Sequence, residues 1–252
     1  GPANQGHGSL AQLTSNTNAL GLLRGTVKIG TNISIPVLNN TGNYNISEAA
    51  RLWVDGGFVA KNSGTAIVPY GTVQVSAGTL EARVNSGITT RDNGRIVVSG
   101  GTLNAQQIRT SVLGASNIGG YVQSGGTVNL VPGNINNDYY KFCLTYPGNV
   151  FRMTGGSLNI MESRGRGGIF INSEPEKIMV SGGTVNCDIS SNQDFIITSR
   201  APFYNLSLTN SAANGYDFQL EGGTGVGATN EDLPAQPLSV LNNLNIHQNA
   251  VE

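Results

Sequence analysis

The chain of 252 residues carries glycine at 35 positions, roughly twice the ordinary share, and asparagine at 30, while only 12% of its residues are charged. Lys and Arg number 14 against 15 Asp and Glu, a net charge of -1 that offers no cationic field and argues against a nucleic-acid partner. No apolar run approaches the roughly 20 residues of a membrane-spanning helix, so no membrane insertion is expected, and regularly spaced Val, Ile and Leu argue against disorder.

The opening Gly1-Pro2 resembles the remnant of a cleaved purification tag. Residues 1–50 then combine a polar start with TVKIGTNISIPVLNN, strand-like and suited to an N-terminal capping coil. A decapeptide recurs after that. It reads LWVDGGFVAK from Leu52, VQVSAGTLEA from Val73, IVVSGGTLNA from Ile96, YVQSGGTVNL from Tyr121, FRMTGGSLNI from Phe151 and IMVSGGTVNC from Ile178. A divergent copy, FQLEGGTGVG, begins at Phe218. The second small turn residues Gly57, Gly78, Gly101, Gly126, Gly156, Gly183 and Gly223 are 21, 23, 25, 30, 27 and 40 residues apart. That is the period of a β-solenoid coil with loops of varying length.

Period-two alternation sorts each copy into faces. Before the Gly-Gly pair, Leu52, Val73, Ile96, Tyr121, Phe151 and Ile178 form one inward stack. Val54, Val75, Val98, Gln123, Met153 and Val180 form a second. After it come Leu80, Leu103, Val128, Leu158 and Val185, then Ala82, Ala105, Leu130, Ile160 and Cys187. Outward lie Ser and Thr columns and the column Glu81, Asn104, Asn129, Asn159, Asn186, expected to form ladders at the inter-strand spacing of about 4.8 Å. The Gly-Gly pair predicts a corner where φ > 0 or a tight bend excludes a Cβ. The fold class expected is all-β: a single parallel β-helix, right-handed by the crossover rule. A sandwich of hairpins also produces frequent turn signals, but it leaves the recurring decapeptide and its preserved inward set unexplained.

Regular coils are expected over 51–200, preceded by the capping region 1–50. Residues 201–252, with FYNLSL and LSVLNNLNI, read as further rungs. The pattern runs to Glu252 without a polar cap, so adjoining domains of a longer chain are expected. Cys143 and Cys187 are expected to be free thiols, Cys187 as a small buried hydrophobe.

Strings such as IVVSGGTLNA and YVQSGGTVNL resemble the repeats of secreted bacterial β-helix surface proteins, including autotransporter passenger domains. The tail APFYNLSLTN…PLSVLNNLNI is similar to repeats in very large adhesin-like exports of Bacteroidota. The resemblance spans roughly residues 50–250 and implies an extracellular or cell-surface location.

Parallel β-helices also carry polysaccharide lyases and glycosidases. No Asp-Asp pair with SHG and RIK motifs occurs, and both histidines, His7 and His247, are placed at the ends, away from the repeat face. Glu162 and Asp188 form the best carboxylate pair by register, with two solvated side chains at a loop edge as the competing reading. GGTGVGATNED from Gly222 lacks the Lys-Ser/Thr of a phosphate loop and the spaced Asp of a calcium repeat. No catalytic residue, metal ligand or cofactor is therefore assigned. The sequons at Asn32, Asn39, Asn45 and Asn205 are those that an asparagine-rich chain yields by chance.

Candidate ligand-binding residues lie in insertions. VPGNINNDYYKFCLTYPGNVF adds Tyr139, Tyr140 and Tyr146, whose rings suit a sugar or a protein partner; the alternative is a local mini-core on the solenoid flank. Arg164, within RGRGG, is a candidate for an anionic glycan, with an ordinary turn as the alternative. The outward column Trp53, Gln74, Val97, Val122, Arg152, Met179 is a further possible contact face. The leading expectation is a non-enzymatic stalk or adhesive module that presents loops to a surface glycan or protein partner. A β-helix carbohydrate-active enzyme stands second and a phage fibre component third.

Overall fold

An apolar residue at every second position cannot stay on one strand in water; it needs an identical neighbour above and below. The computed structural model satisfies this with parallel sheets stacked into a β-solenoid of about seven turns. It describes residues 20–38, 41–84, 87–111, 118–133, 140–161, 167–190, 192–212, 215–224 and 232–248.

The first sheet is built from the decapeptides. Its order runs through Gly25–Gly30, Ala50–Lys61, Thr72–Ala82, Arg95–Val98 with Thr102–Ala105, Gly120–Leu130, Val150–Ile160, Ile178–Asp188, Phe203–Asn210 and Val240–Gln248. All these pairings are parallel. Equivalent residues meet in register as the alternation requires: Val73 with Ile96, Leu80 with Leu103, Val128 with Leu158, and Ile160 with Cys187. The four inward stacks are buried, except that Ile178 and Val180 remain half-buried.

The corner follows from the glycines. Gly126 has φ +67°, and a Cβ there would lie 2.6 Å from the carbonyl carbon of Gly100 one coil away. Its neighbour Gly125 has no positive φ, but a Cβ would sit 2.5 Å from the Ser99 carbonyl oxygen. One glycine is needed for its backbone conformation and the other for close approach between coils.

A second parallel sheet closes each coil, and the sequence reading did not anticipate it. Its strands are short: Tyr44–Ile46, Ile67–Pro69, Ile88–Thr90, Ile108–Thr110, Phe142–Leu144, Ile169–Ile171, Phe195–Ser199 and Phe218–Gln219. Tyr44, Ile67, Ile88, Ile108, Phe142, Ile169 and Ile197 form its inward column. The two sheets meet through aromatic rings, with Tyr121 edge-on to Phe142 at 5.1 Å and stacked over Phe151 at 6.2 Å. Such ring pairs add roughly 0.5–1.5 kcal/mol beyond the area they bury.

Gln123 and Lys61 are polar side chains within the inward stacks of the first sheet. Gln123 occupies the second stack fully buried; its Oε1 accepts the Tyr121 hydroxyl at 2.6 Å, and its Nε2 donates to the Ser157 carbonyl at 3.0 Å. Burial raises the Tyr121 phenol well above its ordinary pKa. Lys61 pairs with Ala82 in the fourth stack and is also fully buried. Its ammonium donates to the Ser63 carbonyl at 2.7 Å, and burial lowers its pKa.

One expected repeat is corrected. The segment beginning at Phe218 is not a further copy of the decapeptide. Phe218–Gln219 belongs to the second sheet, beside Phe195–Ser199, and Gly223–Thr224 pairs antiparallel with Asp232–Leu233. The rung after Ile178–Asp188 is FYNLSL, paired through Val185 with Leu206 and Cys187 with Leu208. It is one of the further rungs expected over 201–252, and because it carries no Gly-Gly corner it leaves the 40-residue interval between Gly183 and Gly223. LSVLNNLNI forms the next rung, with Leu244 beside Leu206 and Ile246 beside Leu208.

Candidate functional site

Past the corner, the outward column forms a continuous amide ladder. Glu81 Oε1 accepts Asn104 Nδ2, Asn104 Oδ1 accepts Asn129 Nδ2, Asn129 Oδ1 accepts Asn159 Nδ2, and Asn159 Oδ1 accepts Asn186 Nδ2, each at 2.7 Å. Parallel in-register stacking sets equivalent side chains one strand spacing apart, so each carboxamide reaches the next. Glu81, which also accepts Arg83 Nε, is the acceptor at one end. Ser207 takes the position after Asn186.

A second outward column runs beside the ladder. Asp188 pairs with Thr209, and Thr209 with His247. Met161 follows Ile160, whose partner Cys187 precedes Asp188, so Met161 extends the column on the other side. His247 thus lies on the repeat face, contrary to the reading that set it apart; that reading rested on chain position, whereas the LNIHQ rung returns to the sheet. Asp188 is held by Ser211, whose backbone N–H and hydroxyl donate to its two oxygens at 2.9 and 2.6 Å. Between the columns lies an open groove of about 380 Å³, lined by Asn129, Asn159, Asn186, Met161, Asp188 and Thr209, with the backbone of the intervening strands as floor.

Before the corner, the face near the N-terminal end carries a separate cluster. Lys28 Nζ lies 2.6 Å from Asp55 Oδ2 and 4.2 Å from the centre of the Trp53 ring. Trp53 Nε1 donates to Ser76 Oγ, which donates to Asp55 Oδ1, both at 2.6 Å. The Lys28 ammonium, and then the Ser76 hydroxyl, hold the Asp55 carboxyl below its usual range. The rest of this outward column stays mixed: Val97 and Val122 are half-buried, Arg152 and Met179 exposed.

The tyrosine insertion packs inward where it is described. Tyr140 and Tyr146 are 2% and 3% exposed. The Tyr140 ring lies 5.1 Å from Phe170 and joins Cys143 and Leu233 in a small apolar cluster on the outer side of the second sheet. Lys141 is fully buried beside them and donates to the Gln106 and Val131 carbonyls. The physical reason is that Cys143 and Phe170, on the outward positions of that sheet, need a cover, and the insertion supplies it. Tyr139, Arg164 and Glu162 lie outside the described residues.

Both cysteines are buried free thiols, on different sheets, and burial raises the Cys187 pKa. Among the described residues no three His, Cys, Asp or Glu side chains converge as a metal site, and no helix is long and apolar enough to cross a membrane. Comparison with protein-family models, with curated proteins and with solved structures finds no match for this chain.

Proposed function

We propose that this chain is a non-enzymatic segment of a secreted or surface-anchored bacterial protein. It serves as a stiff stalk or adhesive module that presents its outer face to a glycan or protein partner. The observation that carries this reading is the uninterrupted stack of rungs, its apolar columns inside and an amide ladder outside. Each coil pairs its backbone with two neighbours, so the rod is rigid along its axis and its outer side chains repeat at a fixed interval. Such a scaffold suits display, since binding to a preorganised array loses little side-chain freedom. Fluorescently labelled protein applied to immobilised polysaccharides and intact bacterial or host cells tests it. Saturable retention without depolymerisation supports the reading, and retention on no surface overturns it.

A carbohydrate-active enzyme is the second reading, favoured by one observation: Asp188, Thr209 and His247 occupy successive rungs of one outward column. A carboxylate and an imidazole on one face are the side chains that acid–base chemistry uses. Release of reducing ends or unsaturated uronates, lost in Asp188→Asn or His247→Gln, would establish it over the first.

A further inference from the structure

The groove beside the amide ladder has the volume of a small-molecule site, about 380 Å³, on a face whose hydrogen-bonding groups are fixed in place. We propose that it binds a short neutral oligosaccharide, through Asn129, Asn159, Asn186, Asp188 and Thr209, with Met161 against the sugar's apolar face. This assignment rests on the adhesive reading above and names its site and ligand class.

The argument begins with hydrogen-bond capacity. A carboxamide has two N–H donors and two acceptor lone pairs. Asn129 and Asn159 each use one N–H and one lone pair along the ladder, and each keeps one of both. These two rungs therefore each offer a donor and an acceptor side by side, repeated at about 4.8 Å. A hydroxyl is both donor and acceptor, so a polyhydroxylated ring matches such an array better than an anion or an apolar group does.

Charge selects among glycans. Among the described residues that line the groove, Asp188 is the one charged side chain and none is a lysine or arginine. Ser211 anchors both its oxygens, which leaves further lone pairs for ligand hydroxyls. A uronate or sulfated chain meets a fixed negative charge with no compensating cation among those residues. Met161 is 41% exposed at the groove wall and supplies a polarizable apolar contact. The ladder is already assembled in the free protein, so binding does not have to order those amides.

Titration calorimetry of the chain with cello-, manno-, xylo- and laminaritetraose, and with tetragalacturonate as the acidic probe, tests the assignment. At least one neutral tetraose should bind and tetragalacturonate should not. Asn159→Leu and Asp188→Asn should each weaken the neutral ligand at least tenfold, and Arg152→Ala, before the corner, should leave it unchanged. Side-chain amide resonances of Asn129, Asn159 and Asn186 should shift on titration. Urea midpoints close to wild type for both groove variants exclude unfolding as the cause of weakened binding. A neutral tetraose that binds with the same affinity in both variants overturns the site and leaves the adhesive reading standing. Binding of none of the neutral tetraoses also overturns the site, whereas retention on no cell or polysaccharide surface overturns the reading beneath it.

Discussion

Replacing Val128 by Asp is the sharpest test of the register, because Thr127 beside it should accept the same change. Val128 is fully buried, with Leu103 on one side and Leu158 on the other, themselves 0% and 1% exposed. Losing the valine side chain from this stack costs about 1.5–3 kcal/mol. A carboxyl among these apolar neighbours has its folded pKa raised by about 3 units above the unfolded value near 3.9, which adds about 4 kcal/mol once pH exceeds the folded pKa. The sign follows from linkage: the native state holds the proton, so the ionisation penalty is full near pH 7 and fades as pH falls toward 4. The combined loss, about 6 kcal/mol, equals much of the 5–15 kcal/mol that a domain possesses. Thr127, in register with Thr102 and Ser157 on the outer face, is half-buried, so Thr127→Asp should stay within about 1 kcal/mol of wild type. Urea unfolding followed by far-ultraviolet circular dichroism at pH 7 and pH 4 measures both. Equal midpoints for the two variants at pH 7, or a Val128→Asp deficit that does not shrink at pH 4, would refute the assigned faces.

Three further outcomes are expected. Gln123→Leu should lower stability by about 1–3 kcal/mol by stranding the buried Tyr121 hydroxyl; adding Tyr121→Phe should recover part of it, and a double-mutant cycle in urea showing simple additivity would disprove the coupling. Because Lys28 and Ser76 depress the Asp55 pKa, the carboxylate stabilises the fold above its unfolded pKa and loses that contribution as pH falls through the lower folded value. Asp55→Asn should therefore unfold at lower urea than wild type at pH 7, with the difference shrinking as pH falls into the acid range, followed by Trp53 fluorescence. Native protein should leave Cys143 and Cys187 unalkylated by iodoacetamide at pH 8, and urea-unfolded protein without reductant should take up two labels by mass spectrometry; zero labels after unfolding would mean a disulfide.

Much of this architecture is legible in the amino-acid sequence because a solenoid is close to one-dimensional. The decapeptide fixes its own in/out alternation, and parallel in-register stacking turns alternation into columns without reference to distant parts of the chain. Hence Val128, Leu103 and Leu158 are readable as one stack, Gly126 as a corner and Asn104 through Asn186 as a ladder. Other features depend on what tertiary structure brings alongside. The second sheet uses strands of about three residues, such as Ile88–Thr90 and Phe142–Leu144, too short to show a period, and only the return of each coil places them together. The FYNLSL rung has no glycine corner, so its register with Val185 and Cys187 had to come from pairing. Tyr140 sits in an insertion that the sequence offers either as a binding surface or as a local mini-core; its burial depends on Phe170 and Leu233, which come from other parts of the chain, and on Cys143 of the same insertion. His247 is near the end of the chain yet shares a column with Thr209 and Asp188, because the rung that carries it folds back onto the sheet. Local alternation decided which side chains face the core, while coil closure and the covering of the second sheet's outer face decided which outward residues meet solvent.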